Sequence, residues 1–506
     1  MMDLGFLGAV RALGELSAVT GWEAYLKFPL EEPSTRQNAG KKNQKKEVDE
    51  GRKIIRIWLN IDNPEADQLK IQGVEKVDLI DYKTSPDMKM KYLYRDRVGS
   101  YTFWGFTPIF KLGKPKKEVV SKKNALLGES GNWPEENKSF FYKLRNRLLE
   151  NYETCETFSP GSVEIIMNYL TGQVDQIVSL FDGNGSFIMV FGANNREQFL
   201  FPGEIPAFVS YFKSKLEQHV QKNNGSGGMS RSCFCCGRLS DNPATLDKVF
   251  KFATFHKINV LPGLNEKNML KVQPVCQDCL QQLAAGRERI ERELADKSAI
   301  FGIIIWLIPE VIEVDGAGRF LKKALDKLNF EEKGATGMGS EAERRFFHRL
   351  TKQDAGLVFH FLFWERIKAQ ERIHLMVEDV PPSWLAKLEN AWARAVENLS
   401  MNWDRGLDSA FSTLYSTCMA LSGQSNEDKV VMRDFVVKII GKMLKGERLP
   451  AQSFKAMFVR RIPKLVFDSN AWSNVQFTSR KAQLVVEFLE QINKEVALIE
   501  AGFKIS

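Results

Sequence analysis

Two spacings of apolar residues divide the chain. Before Pro381, short segments such as Lys53–Asn60 (KIIRIWLN) alternate apolar and polar positions, which predicts strands. Beyond Pro381, apolar residues recur every three or four positions, which predicts helices. Three such stripes are Phe411, Leu414, Tyr415, Cys418 and Leu421; Val431, Phe435, Ile439 and Met443; and Leu484, Val485, Phe488, Leu489, Ile492 and Val496. Because stripes of this kind usually form cores, we predict a C-terminal helical bundle.

The middle of the chain contains shorter signals. The apolar run Ala299–Ile308 is too short to span a bilayer and is predicted to be a buried strand, so no membrane partner is expected. Leu357–Phe363 and Arg372–Val377 predict a pair of joined strands. Lys91–Arg95 predicts another strand. Ser179–Gly192 predicts a hairpin, because its Asp-Gly-Asn-Gly sequence is a strong turn signal.

The 506 residues are too many for one hydrophobic core, so we expect several domains. The predicted fold class is α+β multidomain. A mixed α/β, basic N-terminal region spans 1–224 and ends at a Gly/Ser/Asn-rich linker. An inserted zinc-ribbon-like four-cysteine subdomain (225–297), a β-rich connecting region (298–380) and the helical bundle (381–506) follow.

The positive charge is concentrated in one region. The formal net charge is +8, while the stretch from Arg36 to Lys123 alone has 21 Lys/Arg against 12 Asp/Glu. Such an excess indicates a contact with a polyanion; the alternative is a solvated, partly disordered lysine-rich loop. The candidate nucleic-acid-binding residues are Lys111, Lys114, Lys116, Lys117, Lys122 and Lys123 in one loop, and Lys41, Lys42, Lys45 and Lys46 in another.

Two CxxC pairs are the most specific chemical signal. Cys233 and Cys236, followed by Gly237, form the first pair, and Cys276 and Cys279 form the second. Four thiolates in two knuckles are the closed ligand set of structural zinc, which leaves no open position for chemistry. A redox CxxC and a disulfide framework are the competing interpretations.

The other three cysteines have no such spacing. Cys235 lies between ligands and is predicted to be unligated, while Cys155 and Cys418 are predicted to be buried thiols. An odd cysteine number, partly in metal spacing, favours a reducing, cytoplasmic location, and no secretory leader is recognised.

Catalytic motifs are not recognised. The sequence contains no P-loop, GxSxG elbow, HExxH or kinase motif set. The five histidines are isolated, and His360 and His374 are predicted to be structural. Asp78 and Asp81 lack a third ligand for a metal-dependent nuclease site. A binding or scaffold role, and no enzyme activity, is therefore predicted. The alternative is a zinc-containing nucleic-acid-processing enzyme with an unrecognised active site.

The order of these features resembles a known family. A KYLY-like segment (Lys91–Arg95) precedes the C-x-x-C-G knuckle, Phe252-Ala253-Thr254 and Pro274-Val275-Cys276-x-x-Cys279. Ile308-Pro309-Glu310, a Phe/Trp-rich hairpin and Glu378-Asp379-Val380-Pro381-Pro382-Ser383 follow. Together they resemble the large subunit of the type I-B CRISPR interference complex (Cascade).

The resemblance implies a function in antiviral defence. Such a subunit is non-catalytic, recognises the motif that flanks target double-stranded DNA, and stabilises the opened duplex for a recruited helicase-nuclease. Its implied partners are a guide RNA ribonucleoprotein with backbone and handle-capping subunits, and a small subunit that the C-terminal bundle resembles. An internal start at Met376 or Met401 would supply that small subunit, and the polar break around Met401 favours the latter.

Overall fold

The computed structural model describes residues 5–17, 21–30, 51–95, 105–115, 118–181, 185–221, 230–241, 243–253, 265, 271–300, 302–312, 317–328, 346–353, 356–367, 370–422, 425–468 and 472–502. These residues form two compact units. One unit comprises residues 19–229, and the other comprises residues 1–18 together with 230–506. The N-terminal helix therefore belongs to the unit that contains the cysteine pairs.

A mixed sheet organises the 19–229 unit. Its strands are β1 (Lys53–Ile61), β2 (Ile71–Asp81), β3 (Ile109–Gly113), β4 (Phe187–Asn195) and β5 (Gln198–Leu200). The strand order is β2-β1-β4-β3, with β5 paired to β4. β1 and β4 are parallel, and the other pairs are antiparallel. Ile54 and Trp58 of β1 lie in one aromatic-rich core with Tyr92 and Phe201, as the period of two along a strand requires.

Short helices complete this unit. They are α2 (Pro86–Tyr92), α3 (Val119–Leu127), α4 (Phe140–Leu144), α5 (Glu150–Thr154), α6 (Ser162–Gly172), α7 (Val174–Ser179) and α8 (Pro206–Gln221). A π-helical segment, Arg145–Leu149, joins α4 to α5. Tyr152, Phe158, Phe208 and Tyr211 form a second aromatic cluster, in which the Tyr152 and Tyr211 rings stack with centroids 4.2 Å apart.

Two predicted β elements of this unit are wrong. The segment at Lys91 is the end of α2, since Pro86 at the first helical turn favours a helix start and Leu93 ends the helix at φ +53°. The residues before Asp182 form helix α7, whose Val174, Ile177 and Val178 are buried at helical spacing. β4 therefore pairs with distant strands instead of closing a hairpin there. The exposed Cys155 is likewise not the buried thiol that we predicted.

An antiparallel sheet organises the other unit. Its strands are β8 (Ala295–Ile300), β9 (Ile303–Val311), β10 (Leu357–Ile367) and β11 (Gln370–Val380). Their order in the sheet is β11-β10-β9-β8. A separate two-stranded hairpin of β6 (Arg231–Ser232) and β7 (Leu239–Ser240) precedes them in the sequence. The predicted strand pair is confirmed as β10–β11. The strand predicted over Ala299–Ile308 is confirmed only from Ile303 onward, as β9; Ala299 and Ile300 belong to β8, because Gly302 at φ +77° lies in a turn between the two strands. Trp306 and Phe361, on neighbouring strands, are fully buried.

Helices of this unit pack against the sheet and against one another. They are α1 (Phe6–Glu15), α9 (Gln277–Glu293), α10 (Ala317–Leu328), α11 (Phe346–Leu350), α12 (Pro382–Asn398), α13 (Leu407–Leu421), α14 (Asn426–Leu444), α15 (Ala451–Asp468) and α16 (Trp472–Gly502). α1 and α9 cross where Gly14 and Gly286 let the backbones touch: a Cβ at Gly286 would lie 1.9 Å from the carbonyl oxygen of Val10.

The C-terminal helical region is confirmed. Phe411, Leu414, Cys418 and Leu421 are buried, and so is the whole stripe from Leu484 to Val496. In the stripe on α14, Val431 is 69 % exposed and Phe435 is half-buried, because the buried part of that helix begins at Val436. Among the described helices, none combines the length and the apolar character needed to cross a membrane. The fold class predicted from the sequence, with the cysteine cluster inserted ahead of the sheet, is confirmed.

Candidate metal centre and nucleic-acid contacts

The first cysteine pair lies in the turn between β6 and β7. The Cys233 amide donates to the carbonyl of Arg238 (2.8 Å), and the Gly237 amide donates to the carbonyl of Cys233 (2.8 Å). Gly237 has φ +73°, a conformation that a residue without Cβ adopts at little cost. These contacts hold a tight knuckle that brings Cys233 and Cys236 to one side.

The second pair lies at the start of α9. Cys276 is the N-cap residue, and Cys279 lies in the first turn of the helix. The Phe234 amide donates to the carbonyl of Pro274 (2.7 Å), and the Cys276 amide donates to the Cys233 sulfur (3.3 Å). These two hydrogen bonds join the knuckles directly.

The four sulfurs converge. The Sγ atoms of Cys233, Cys236, Cys276 and Cys279 all lie within 4.8 Å of one another. The Cys236 and Cys276 sulfurs are 3.7 Å apart, and all seven cysteines are free thiols. Zn–S bonds of about 2.3 Å in a tetrahedron place sulfurs about 3.8 Å apart, whereas a disulfide needs about 2.0 Å. The cluster therefore has the dimensions of a tetrahedral metal site and could hold zinc.

The thiols differ in their electrostatics. Burial acts to raise the pKa of Cys236, but hydrogen bonds from Arg238, Cys279 and Cys233 outweigh it and lower this pKa to about 6. Burial raises the pKa of Cys276, and a hydrogen bond with Cys235, together with burial, raises that of Cys279. A bound divalent cation would favour the thiolate at each ligand. Cys235 lies outside the set of four whose sulfurs converge.

A buried ion pair connects the cysteine segment to the sheet. The Arg287 guanidinium on α9 contacts the Glu371 carboxylate of β11 at 2.6 Å. It also donates to the Val249 carbonyl, while the Lys251 amide donates to Glu371 (2.9 Å). The side chains of Arg287 and Glu371 are only 12 % and 4 % exposed. The chain between the two cysteine pairs is thereby anchored to the sheet.

A second group of potential ligands is explained by hydrogen bonds. His360, Glu310 and Asp379 bring their ligand atoms within 4.8 Å of one another, a grouping that the sequence did not reveal because the residues lie on three strands. The His360 Nε2 atom is 2.6 Å from Glu310, and its Nδ1 atom accepts from the Asp379 amide at 3.4 Å. Since both ring nitrogens have protein partners, His360 acts as the structural histidine that we predicted.

The candidate lysines have different surroundings. Lys41, Lys42, Lys45, Lys46, Lys116 and Lys117 lie outside the described residues. Lys111 is in β3, with its Nζ 4.6 Å from the Tyr94 ring centroid. In α3, Lys122 donates to the Phe181 carbonyl (2.8 Å) and Lys123 pairs with Asp175 (2.6 Å). Lys114 is exposed and has no ion pair with any residue that the structure describes.

One comparison with known proteins bears on identity. Residues 230–380 match the family model described as CRISPR-associated protein TM1802 (cas_TM1802) central domain. The matched region contains the four-cysteine cluster and the whole β8–β11 sheet. No curated protein matches the chain. The match supports a CRISPR-associated protein; the type of complex and the subunit stay predictions.

Proposed function

We propose that this protein is the non-catalytic large subunit of a type I-B RNA-guided DNA-surveillance complex. The observation that carries the proposal is the match of residues 230–380 to a CRISPR-associated family, over the region that contains the cysteine cluster. The subunit recognises the motif beside the target and stabilises the opened duplex. A guide RNA reads the target by base pairing, and a recruited helicase-nuclease cuts it.

The four-cysteine cluster has a structural role in this proposal. Four thiolates fill the coordination sphere of zinc, so the ion fastens the two knuckles and does no chemistry. The Arg287–Glu371 pair then connects this fastened segment to β11. The cluster and the ion pair would together hold the central region rigid beside the nucleic acid.

The basic N-terminal segment supplies affinity for phosphates. Among the described candidate lysines, Lys114 is the one best placed, because the ammonium groups of Lys122 and Lys123 already have protein partners. Lys116 and Lys117 follow it in the sequence. Contacts with phosphates add affinity and salt dependence without sequence preference.

Purification of the chain with its partner subunits tests the assignment. We expect guide RNA to co-purify and target duplex to bind. Replacing Lys114, Lys116 and Lys117 with alanine should weaken binding equally for matched and mismatched flanking motifs, with a shallower dependence on salt. Lys70→Ala, an exposed lysine on the same unit, is the control and should leave binding unchanged.

Three outcomes would contradict parts of this proposal. Absence of guide RNA together with processing of nucleic acid by the isolated chain would favour the zinc-containing enzyme instead. Unchanged affinity of the lysine variant at low salt would show that the lysine loop is only solvated. Loss of binding for one flanking motif alone would mean that the loop reads bases.

A further inference from the structure

The N-terminal helix α1 contacts each part of the cysteine segment. The Arg11 guanidinium donates to the Cys235 carbonyl in the first knuckle (3.1 Å). The ring of Phe6 lies 5.9 Å, centroid to centroid, from that of Phe250, in the chain between the two cysteine pairs. α1 also crosses α9, the helix that begins at the second pair. One helix therefore spans both knuckles and the chain that joins them.

The hydrogen bond from Arg11 fixes the peptide that leads into Cys236. The Cys235 carbonyl and the Cys236 amide belong to one planar peptide unit, so holding the carbonyl also sets the direction in which the chain enters Cys236. Cys236 is half-buried, whereas the other three predicted ligands are buried. It is therefore the ligand that water or a competing chelator reaches most easily. The Arg11 side chain is only 17 % exposed, which shields its hydrogen bond from water.

The C-terminal end of α1 is also bound to α9. Arg289 of α9 donates to the Leu16 carbonyl (3.1 Å), one of the carbonyls that a helix end leaves without a helical partner. α1 has ten residues, and isolated helices shorter than about 12–15 residues are marginal in water. The helical structure of α1 therefore depends on the surface formed by the knuckles and α9.

We propose that α1 is a zinc-dependent strap: the two knuckles, fastened by zinc, form the surface on which α1 docks, and Arg11 positions Cys236 as a zinc ligand. The inference rests on the zinc site of the proposed function and not on the DNA-surveillance role. The coupling is reciprocal, because a contact that strengthens zinc binding is strengthened by zinc to the same extent.

The strap has a consequence for the connection between the two units. The chain enters the 19–229 unit directly after α1 and leaves it directly before the first knuckle. While α1 is docked, the chain attaches the 19–229 unit to the other unit at both of its ends. After release of α1, only the connection at residues 229 and 230 would remain.

Zinc competition in the full-length chain tests the role of Arg11. Arg11→Met keeps a long unbranched side chain without a donor, and Arg11→Lys keeps a charged donor. We expect Arg11→Met to weaken zinc binding at least tenfold against a chromophoric chelator, as loss of a group that orients a ligand commonly does. Arg11→Lys should recover part of that loss. Glu15→Ala is the control: it removes an exposed ion-pair partner of Arg11 (3.4 Å) and should leave zinc affinity unchanged.

Hydrogen exchange measured by mass spectrometry tests the reverse effect and needs no substitution. Removal of zinc from the wild-type protein with EDTA should lower the protection of the α1 amides at least tenfold, while the β1 amides of the 19–229 unit keep theirs. In Arg11→Met, the same treatment should change α1 protection by a smaller factor, because part of the coupling has already been removed.

The outcomes separate the strap from the zinc site. Absence of zinc from the purified wild-type protein would overturn both. Zinc that Arg11→Met and Glu15→Ala bind equally tightly would leave the zinc site intact and refute the strap. Unchanged α1 protection after zinc removal would refute it too, and so would a loss of protection that β1 shares, since that would mean unfolding of the whole chain.

Discussion

The crossing of α1 and α9 is the tightest backbone contact that the described glycines reveal, and Gly286→Ala tests it. The added Cβ would lie 1.9 Å from the Val10 carbonyl oxygen and 2.9 Å from its carbon. The reciprocal change, Gly14→Ala, would place a Cβ 1.8 Å from the Gln282 carbonyl oxygen. Neither obstacle is the end of a flexible side chain, so relief requires the two helices to separate.

The size of the effect follows from that separation. Ordinary contact begins near 3.4 Å, so α1 must withdraw by about 1.5 Å. A gap of half that size would remove a quarter to a half of the dispersion attraction between α1 and α9. Phe6, Val10 and Leu13 are the large side chains that α1 buries. Overpacking of this kind destabilises the packed helices by about 3 kcal/mol. Alanine stabilises a helix by about 1 kcal/mol relative to glycine, which offsets part of that loss. We expect a net loss of about 2 kcal/mol.

Hydrogen exchange measured by mass spectrometry is the suitable assay, because it reports opening of α1 and α9 separately from the rest of a two-unit chain. A loss of about 2 kcal/mol lowers the protection of the α1 amides about 30-fold. The double variant Gly14→Ala/Gly286→Ala should lose less stability than the sum of the two single variants, since one displacement of the helices relieves both clashes. Gly318→Ala is the control, because its Cβ would lie 3.8 Å from Leu16. If the α1 amides of Gly286→Ala keep protection factors within threefold of the wild-type values, the predicted clash between α1 and α9 is refuted.

Two further predictions concern the central region. Elemental analysis of protein purified without chelator should find one zinc per chain. Cys236→Ser should lower this zinc content, whereas Cys235→Ser should leave it unchanged. Absence of metal from the wild-type protein, or loss of zinc in Cys235→Ser alone, would contradict the ligand set. Glu371→Ala should lower the free energy of unfolding by about 2 kcal/mol, because buried Arg287 loses one of its two carboxylate partners and keeps only Glu291. Replacement of both Arg287 and Glu371 by hydrophobic residues of similar size should cost less, and equal losses would contradict this.

The sequence predicted the metal cluster because its signal is local. Two residues separate the cysteines of each pair, and Gly237 follows the first pair. The Phe234–Pro274, Ala244–Val275 and Cys276–Cys233 hydrogen bonds are among the contacts that bring the two pairs together. The β9 and β10 strands were also predictable, since most of their residues are apolar, β-branched or aromatic in runs of strand length. β11 was predictable from its apolar Ile373, Leu375 and Val377 at alternate positions.

Features that depend on distant partners were not predictable. β4 is buried along most of its length because it lies between β1 and β3, and nothing in its own sequence identifies two partners more than 70 residues away. The pair of Arg287 and Glu371 joins residues 84 positions apart. The lysine-rich segment was predicted as a loop, yet Lys111 lies in β3 and Lys122 in α3, because pairing with β4 and packing of Leu126 override its composition.

The structure also changes the expectation about an internal start. A product beginning at Met401 would lack α12, whose Leu385, Leu388 and Trp392 are buried and whose Trp392 ring packs against Phe488 of α16 at 5.2 Å.

A product beginning at Met376 would keep that contact, so we expect fragment 376–506 to unfold cooperatively in urea and fragment 401–506 to lack near-UV circular dichroism. Mass spectrometry of the purified complex should correspondingly find a product that starts at Met376. Equal cooperativity of the two fragments would contradict a stabilising role for α12, and a native product starting at Met401 would restore the sequence-based preference.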